Sequence, residues 1–237
     1  MENFILIETS TKECSVGLMN ESGLLSFRKD NAFKVHAKKV IPFIQEVLEE
    51  NNLSLKDCSA ISVSKGPGSY TGLRVGVSSA KGLCFGADIP LIGIGTLEIL
   101  AHQAKEKYLL DKENDSDTII LPMIDARRME VYSSRFDYNC NKLNDTQAIV
   151  LDEHSFDFEF NNYKKIIFIG DGAEKYKECL TKERLEKSIF DNSYPNITGM
   201  VQPTLKAFKA KKFEDTAYFE PFYLKEFIAG ISKKKLF

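Results

Sequence analysis

The chain is poor in the residues from which most catalytic centres are built. Its 237 residues include only three histidines, His36, His102 and His154. No two of them stand four apart, the spacing that puts two imidazoles on one helical face, and position 40 is valine. A zinc site of that kind is excluded. His102 is expected on the polar, solvated face of its helix, and His36 as a capping or surface residue. There is no G-x-S-x-G, so a nucleophile elbow is excluded as well. The five cysteines (14, 58, 84, 140 and 179) are odd in number and form no C-x-x-C. None sits in the charged, exposed setting that activates a thiolate, and the usage fits free thiols in a reducing compartment.

A long apolar run and a strong charge of either sign are also missing. Near the N-terminus Phe4–Ile7 is apolar but stops at Glu8, too short for a signal peptide or a membrane span. With a net charge of -2 the chain lacks the basic excess of a dedicated nucleic-acid binder. Lys233–Lys235, a compact basic run, reads as a solvated tail. A cytoplasmic protein without membrane contact is expected. The remaining composition, 43% hydrophobic and 28% charged, is that of an ordinary globular protein with length enough for two lobes.

Residues 3–30 read as three short strands joined by tight turns. An amphipathic helix follows, with Ala37, Val40, Ile41, Ile44, Val47 and Leu48 on one face and Pro42 interrupting the pattern. Ala60–Ser64 and Ile89–Ile94 read as strands. Thr96 is placed to cap a helix whose Leu97, Leu100, Ala101 and Ala104 face inward. The charged stretch Lys105–Asp117 marks a lobe boundary, giving an N-terminal lobe of 1–110 and a C-terminal lobe of 111–237. Beyond it Ile119–Asp125, a turn at Ala126-Arg127-Arg128, and Met129–Phe136 repeat the opening pattern. In both copies an apolar strand ends in a carboxylate, Glu8 or Asp125, and folds back, which reads as an internal duplication. Lys165–Ile169 is a strand, Gly170-Asp171-Gly172 a turn and Ala173–Leu185 a helix. Pro203 opens another helix to about Lys212, and the apolar, aromatic Tyr218–Ile228 is expected to pack back on the N-terminal lobe.

The most organised stretch is Ser64–Asp88. Gly66-Pro67-Gly68 makes a tight turn, Ser69 suits an N-cap, and the helix after it carries Gly72, Gly76 and Ala80 at i, i+4 and i+8. Glycine costs a helix about 1 kcal/mol against alanine, so the stripe needs a compensating cause. Two compete: a second helix backbone approaching closely, or a phosphate held by backbone N–H groups at the helix start. The loop is not a P-loop, because no GK[ST] follows, and its glycines lack dinucleotide-fold spacing. Glu8 and Asp125 stand at turns where actin- and hexokinase-like ATPases hold magnesium, and Gly170-Asp171-Gly172 can approach a nucleotide closely. Against that, the first turn holds Lys12 and Glu13 and no glycine. The plainer readings are a turn carboxylate for Glu8 and an N-cap for Asp171.

These residues together resemble a known family. GPGSYTGLRVGVSSAKGLCFGADIPLIGIGTLEILA, with ILIETSTKECSVGL, IDARRMEVY, GDGAEKY and YLKEF, is similar to the TsaB (YeaZ) family, the bacterial partners of the tRNA threonylcarbamoyladenosine enzyme TsaD. The resemblance implies an α/β, two-lobed actin/hexokinase-like (ASKHA) fold of duplicated βββαβα lobes, the second degenerate. It implies a noncatalytic scaffold that supports a TsaD-like enzyme in N6-threonylcarbamoylation of adenosine 37 in tRNAs reading ANN codons. The metal-binding His-x-x-x-His belongs to TsaD. Here His36 matches the first place and Val40 the second, so the metal site is expected to be dead, and Glu8 replaces the usual Asp. The implied interface set is His36, Gly66, Gly68, Thr71, Gly72, Arg74, Gly76, Ala80 and Lys81, used with TsaD or, in the isolated protein, in a homodimer. A TsaE-like ATPase is expected to join the complex, with tRNA reached only through it. No cofactor is assigned to this chain, and ATP and metal are expected on the partner subunits. The alternative is an ATP-hydrolysing or kinase-type enzyme using Glu8, Asp125 and Gly170-Asp171-Gly172. A metalloprotease is opposed by the missing second histidine.

Overall fold

The computed structural model describes residues 2–32, 35–108 and 115–225. They form two five-stranded mixed sheets on one plan. In the first, β1 (Asn3–Glu8) pairs antiparallel with β2 (Cys14–Asn20), which pairs antiparallel with β3 (Gly23–Asp30). On the other side of β1 lie β4 (Ala60–Gly66) and β5 (Leu91–Gly95), both parallel. The second sheet repeats this with β6 (Thr118–Asp125), β7 (Glu130–Ser133), β8 (Gln147–Val150), β9 (Lys165–Ile169) and β10 (Ser188–Asp191). Its order β8-β7-β6-β9-β10 and its strand directions match β3-β2-β1-β4-β5 one for one. The duplication legible in the two hairpins therefore extends over both sheets.

The helices are less equal. The first half carries α1 (His36–Glu50), α2 (Tyr70–Ala87) and α3 (Thr96–Tyr108). The second carries the short α4 (Asp157–Asn162), α5 (Ala173–Lys177) and α6 (Lys182–Glu186), then α7 (Val201–Lys209). Every residue of β1 and β2 is buried, as expected of strands covered on both faces. On one face α1 and α2 pack through Val40, Phe43, Ile44, Val47, Val77 and Ala80. On the other, a 3-10 turn at Ile197–Met200 and α7 lie against Phe4, Leu6 and Ile92. Packing crosses the sequence boundary near residue 110. Leu97, Leu100 and Ala101 of α3 enter the core of the second sheet with Ile120 and Ile167, while its Ile99 joins the first.

Several expectations change in detail. Ala37 and Ile41 are exposed and Phe43 takes their place on the buried face of α1, with Pro42 inside the helix on the outer side. Thr96 is the first residue of α3, and its buried hydroxyl has no partner among the described residues, so it is not a cap. The helix expected over Ala173–Leu185 is two helices. Buried Tyr176 anchors α5 against Phe168 and Phe156, and Thr181 starts α6 afresh by accepting from Arg184 N at 3.5 Å. The last helix begins at Val201, two residues before Pro203. His102 is half-buried rather than solvated. Burial first, then Lys105 and Lys206, push it down to about 4. Lys233–Lys235 lie outside the described residues.

Candidate functional site

The stripe on α2 has an intramolecular cause. Ser69 caps the helix by accepting from Gly72 N at 3.3 Å, and its own N–H donates to Ser10 O in the β1–β2 turn at 2.6 Å. A Cβ at Gly68 would overlap Ser10, one at Gly72 the Thr9 carbonyl oxygen, and one at Gly76 the Thr9 hydroxyl. Ala80 is fully buried in the same core. The inner glycines thus let α2 lie directly on the first hairpin turn. Gly68, Gly72, Gly76 and Ala80, expected at a surface for another molecule, pack here against the chain's own hairpin and core. Gly66 is likewise internal: its φ is +110°, and a Cβ would overlap the Phe222 carbonyl oxygen. Lys81 is also occupied, donating to Phe219 O at 2.9 Å and Ala217 O at 3.2 Å. Gly72 N and Ser69 N are thereby taken by Ser69 and Ser10, which removes two of the donors that an anion cradle at this loop would use.

Two of the expected interface residues do face solvent: Thr71, and Arg74, whose guanidinium lies 4.0 Å from the centre of the Tyr70 ring. Tyr70 in turn sits 4.9 Å from Tyr223. The same outward face continues through Ser78, Gly82 and Gly86, with Phe85 86% exposed beside them. Nothing lies within 4 Å of a Cβ built at Gly82 or Gly86. The roughly 1 kcal/mol that each glycine costs the helix has no compensation inside the described chain. On the neighbouring α1, Ala37 and Ile41 are exposed. Sequence reasoning missed Gly82 and Gly86 because both helix faces carry small residues, and only the hairpin's position tells them apart.

The two hairpins hold the expected acids very differently. Glu8 is fully buried, and its Oε1 accepts from Ser10 N at 2.5 Å while Oε2 has no partner among the described residues. Burial pushes its carboxyl up to about 7, against the opposing bonds from Ser10 and Ser64. Asp125 is exposed; it accepts from Arg127 N at 2.5 Å and Lys175 Nζ at 2.6 Å. Asp171 is not an N-cap, because its Oδ1 accepts from Asp125 N at 2.9 Å. Its carboxyl is raised by burial, with the Asp125 N–H, Lys12 and Lys175 acting against the shift. At Gly170 and Gly172 a Cβ would overlap the Met123 carbonyl and crowd the Val131 side chain. Those glycines serve the close approach of β6 and β7.

A family model described as "TsaD: tRNA N6-adenosine threonylcarbamoyltransferase" matches residues 30–232. The TsaB protein of Buchnera aphidicola from Schizaphis graminum, a "tRNA threonylcarbamoyladenosine biosynthesis protein", is 32% identical over 85% of this chain and 92% of its own length. The chain belongs to the TsaB (YeaZ) family. Escherichia coli TsaB is 28% identical over 95% of both chains. The solved YeaZ from Pseudomonas aeruginosa, 21% identical, superposes with a TM-score of 0.79 over 94% of this chain and all of its own. That match shows that the α/β fold of two five-stranded mixed sheets is shared with YeaZ.

In this TsaB-family chain the residues of the alternative ATPase reading are not gathered into one open site. Glu8 is sealed beneath the Ser64–Ser69 loop, whereas Asp125 and Asp171 are engaged with each other and with Lys175. Among the described residues no three His, Cys, Asp or Glu side chains are grouped to hold a metal. His36 opens α1, and Val40, in the second histidine's place, points into the core with 1% exposure. All five cysteines are free; burial pushes Cys14, Cys84 and Cys140 up to about 12 and Cys58 to about 11, away from thiolate chemistry. No described helix is long and apolar enough to cross a membrane.

Proposed function

We propose that the protein acts in tRNA threonylcarbamoyladenosine biosynthesis as a noncatalytic subunit of a TsaD-like enzyme. The supported reaction is N6-threonylcarbamoylation of adenosine 37 in tRNAs reading ANN codons, in the cytoplasm. The TsaD-like partner and a TsaE-like ATPase supply the metal and ATP, and tRNA is met within the complex. Similarity to TsaB proteins along nearly the whole chain supports the pathway. The observation that carries the subunit reading is the outer face of α2, where Gly82 and Gly86 are open to solvent beside Phe85. Small residues let a partner helix approach closely while an aromatic neighbour supplies buried area. Thr71 and Arg74 border this face, with Ala37 and Ile41 on α1. In the isolated protein the same surface forms a homodimer.

The test replaces Gly82 and Gly86 with leucine, where the monomer has room for both side chains, and measures mass alone and mixed with the TsaD-like subunit. Loss of both homodimer and heterodimer with an unchanged monomer fold is expected. Wild-type affinity in the double variant would end the interface assignment.

A further inference from the structure

The tip of the second hairpin carries a feature that the partner face leaves unused. Arg127 and Arg128 are both exposed, and both have positive φ, 72° and 48°. Left-handed backbone is disfavoured for side chains that carry a Cβ, and consecutive arginines there are a costly choice for a turn in which glycine or asparagine would be relaxed. The turn also holds two acids able to neutralise them. Both acids are engaged by lysines from elsewhere: Asp125 by Lys175 at 2.6 Å and Glu130 by Lys225 at 2.5 Å. Among the described residues neither guanidinium has a carboxylate, carbonyl or ring partner. A third exposed cation, Lys12 of the first hairpin, acts on Asp171, which is bonded to the base of this turn. Strain kept in the backbone, with two forked cations left unpaired at its tip, points to an external anion.

We propose that Arg127 and Arg128 contact the phosphate backbone of RNA. This rests on the reading that the chain works on tRNA within a complex, and it adds a direct contact by this subunit. Guanidinium groups pair with phosphate oxygens in bidentate fashion. An exposed turn suits an extended polyanion, whereas a free nucleotide takes a concave site. The near-neutral chain, with net charge -2, makes the contact local, so affinity comes mainly from the partner and these arginines add to it.

The test titrates a labelled tRNA transcript containing adenosine 37 into the chain alone and into its mixture with the TsaD-like subunit, from about 50 to about 200 mM salt. Three proteins are compared: wild type, Arg127→Asn with Arg128→Gly, and Arg127→Lys with Arg128→Lys. The asparagine–glycine variant should bind tRNA at least about tenfold more weakly. Its slope of log affinity against log salt should fall by roughly one per arginine removed. It should melt no lower than wild type, because its turn suits positive φ. The lysine variant should keep the slope with weaker binding. Unchanged affinity and slope in the asparagine–glycine variant would overturn the proposal, as would absence of tRNA binding by wild type in both forms. Displacement of tRNA by ATP at this tip would also overturn it, by naming a nucleotide as the source of the phosphate. Partner association is read in the same mixtures. Its failure counts against the subunit reading, while the salt slope of the chain alone still decides the arginines.

Discussion

The first and second hairpins are built on one plan and put to opposite uses. In each half, the loop after the central parallel strand presses glycines onto the hairpin. Gly68 and Gly72 lie against Ser10 and Thr9, and Gly170 and Gly172 lie against Met123 and Val131. In each half a side chain from that loop region also accepts a bond from the hairpin backbone: Ser64 Oγ from Thr9 N at 3.3 Å, and Asp171 Oδ1 from Asp125 N at 2.9 Å. The burial differs. The first turn lies under an 18-residue helix and its Glu8 is sealed, whereas the second faces only the five-residue α5 and its Asp125 stays in solvent. The first hairpin is a packing platform under its long helix, and the second, beside a short one, is a charged rim.

The largest expected effect tests the sealed side. Glu8 has a folded value near 7 against about 4.5 unfolded. Its contribution is therefore fully present below about 4.5 and is lost as pH rises through about 7. A difference of that size corresponds to about 3 kcal/mol. In urea unfolding across this range, Glu8→Gln should remove that much pH dependence relative to wild type. A variant profile parallel to wild type would mean that Glu8 is solvated like Asp125.

The next effect separates the two faces of α2. Gly72→Ala forces a Cβ into the Thr9 carbonyl and should destabilise by roughly 2–3 kcal/mol. Gly82→Ala enters open space and should stabilise the monomer by about 0.5–1 kcal/mol. Equal signs in the two unfolding curves would erase the distinction between inner and outer stripe. Last comes the second hairpin's latch. Asp171→Ala removes the acceptor of Asp125 N and should cost about 1 kcal/mol in thermal unfolding. No change would show that the charged turn stands without it.

Much of this architecture was legible in the chain. Apolar strands ending in Glu8 and Asp125, the Ser69 cap and the inward residues of α3 all follow local rules that need no partner. Two of the failed expectations, the buried face of α1 and the surroundings of His102, share one cause. Ala37 and Ile41 fit the helical period as well as Phe43 does, and His102 lies on a face that is polar in sequence, yet α7 packs beside it. Periodicity gives the angle of a side chain about its helix and leaves open what stands opposite.

The α2 stripe shows that limit most clearly. By itself the sequence determined that this helix must lie close to something, because glycine in a helix interior is unfavourable without a close neighbour. It also determined that the His-x-x-x-His pair is incomplete, since position 40 is valine and has no ligand to offer. Only the tertiary structure decided that Gly72 and Gly76 meet the chain's own hairpin while Gly82 and Gly86 meet solvent. The two pairs are chemically identical, and they differ only in where Thr9 of the folded hairpin comes to rest.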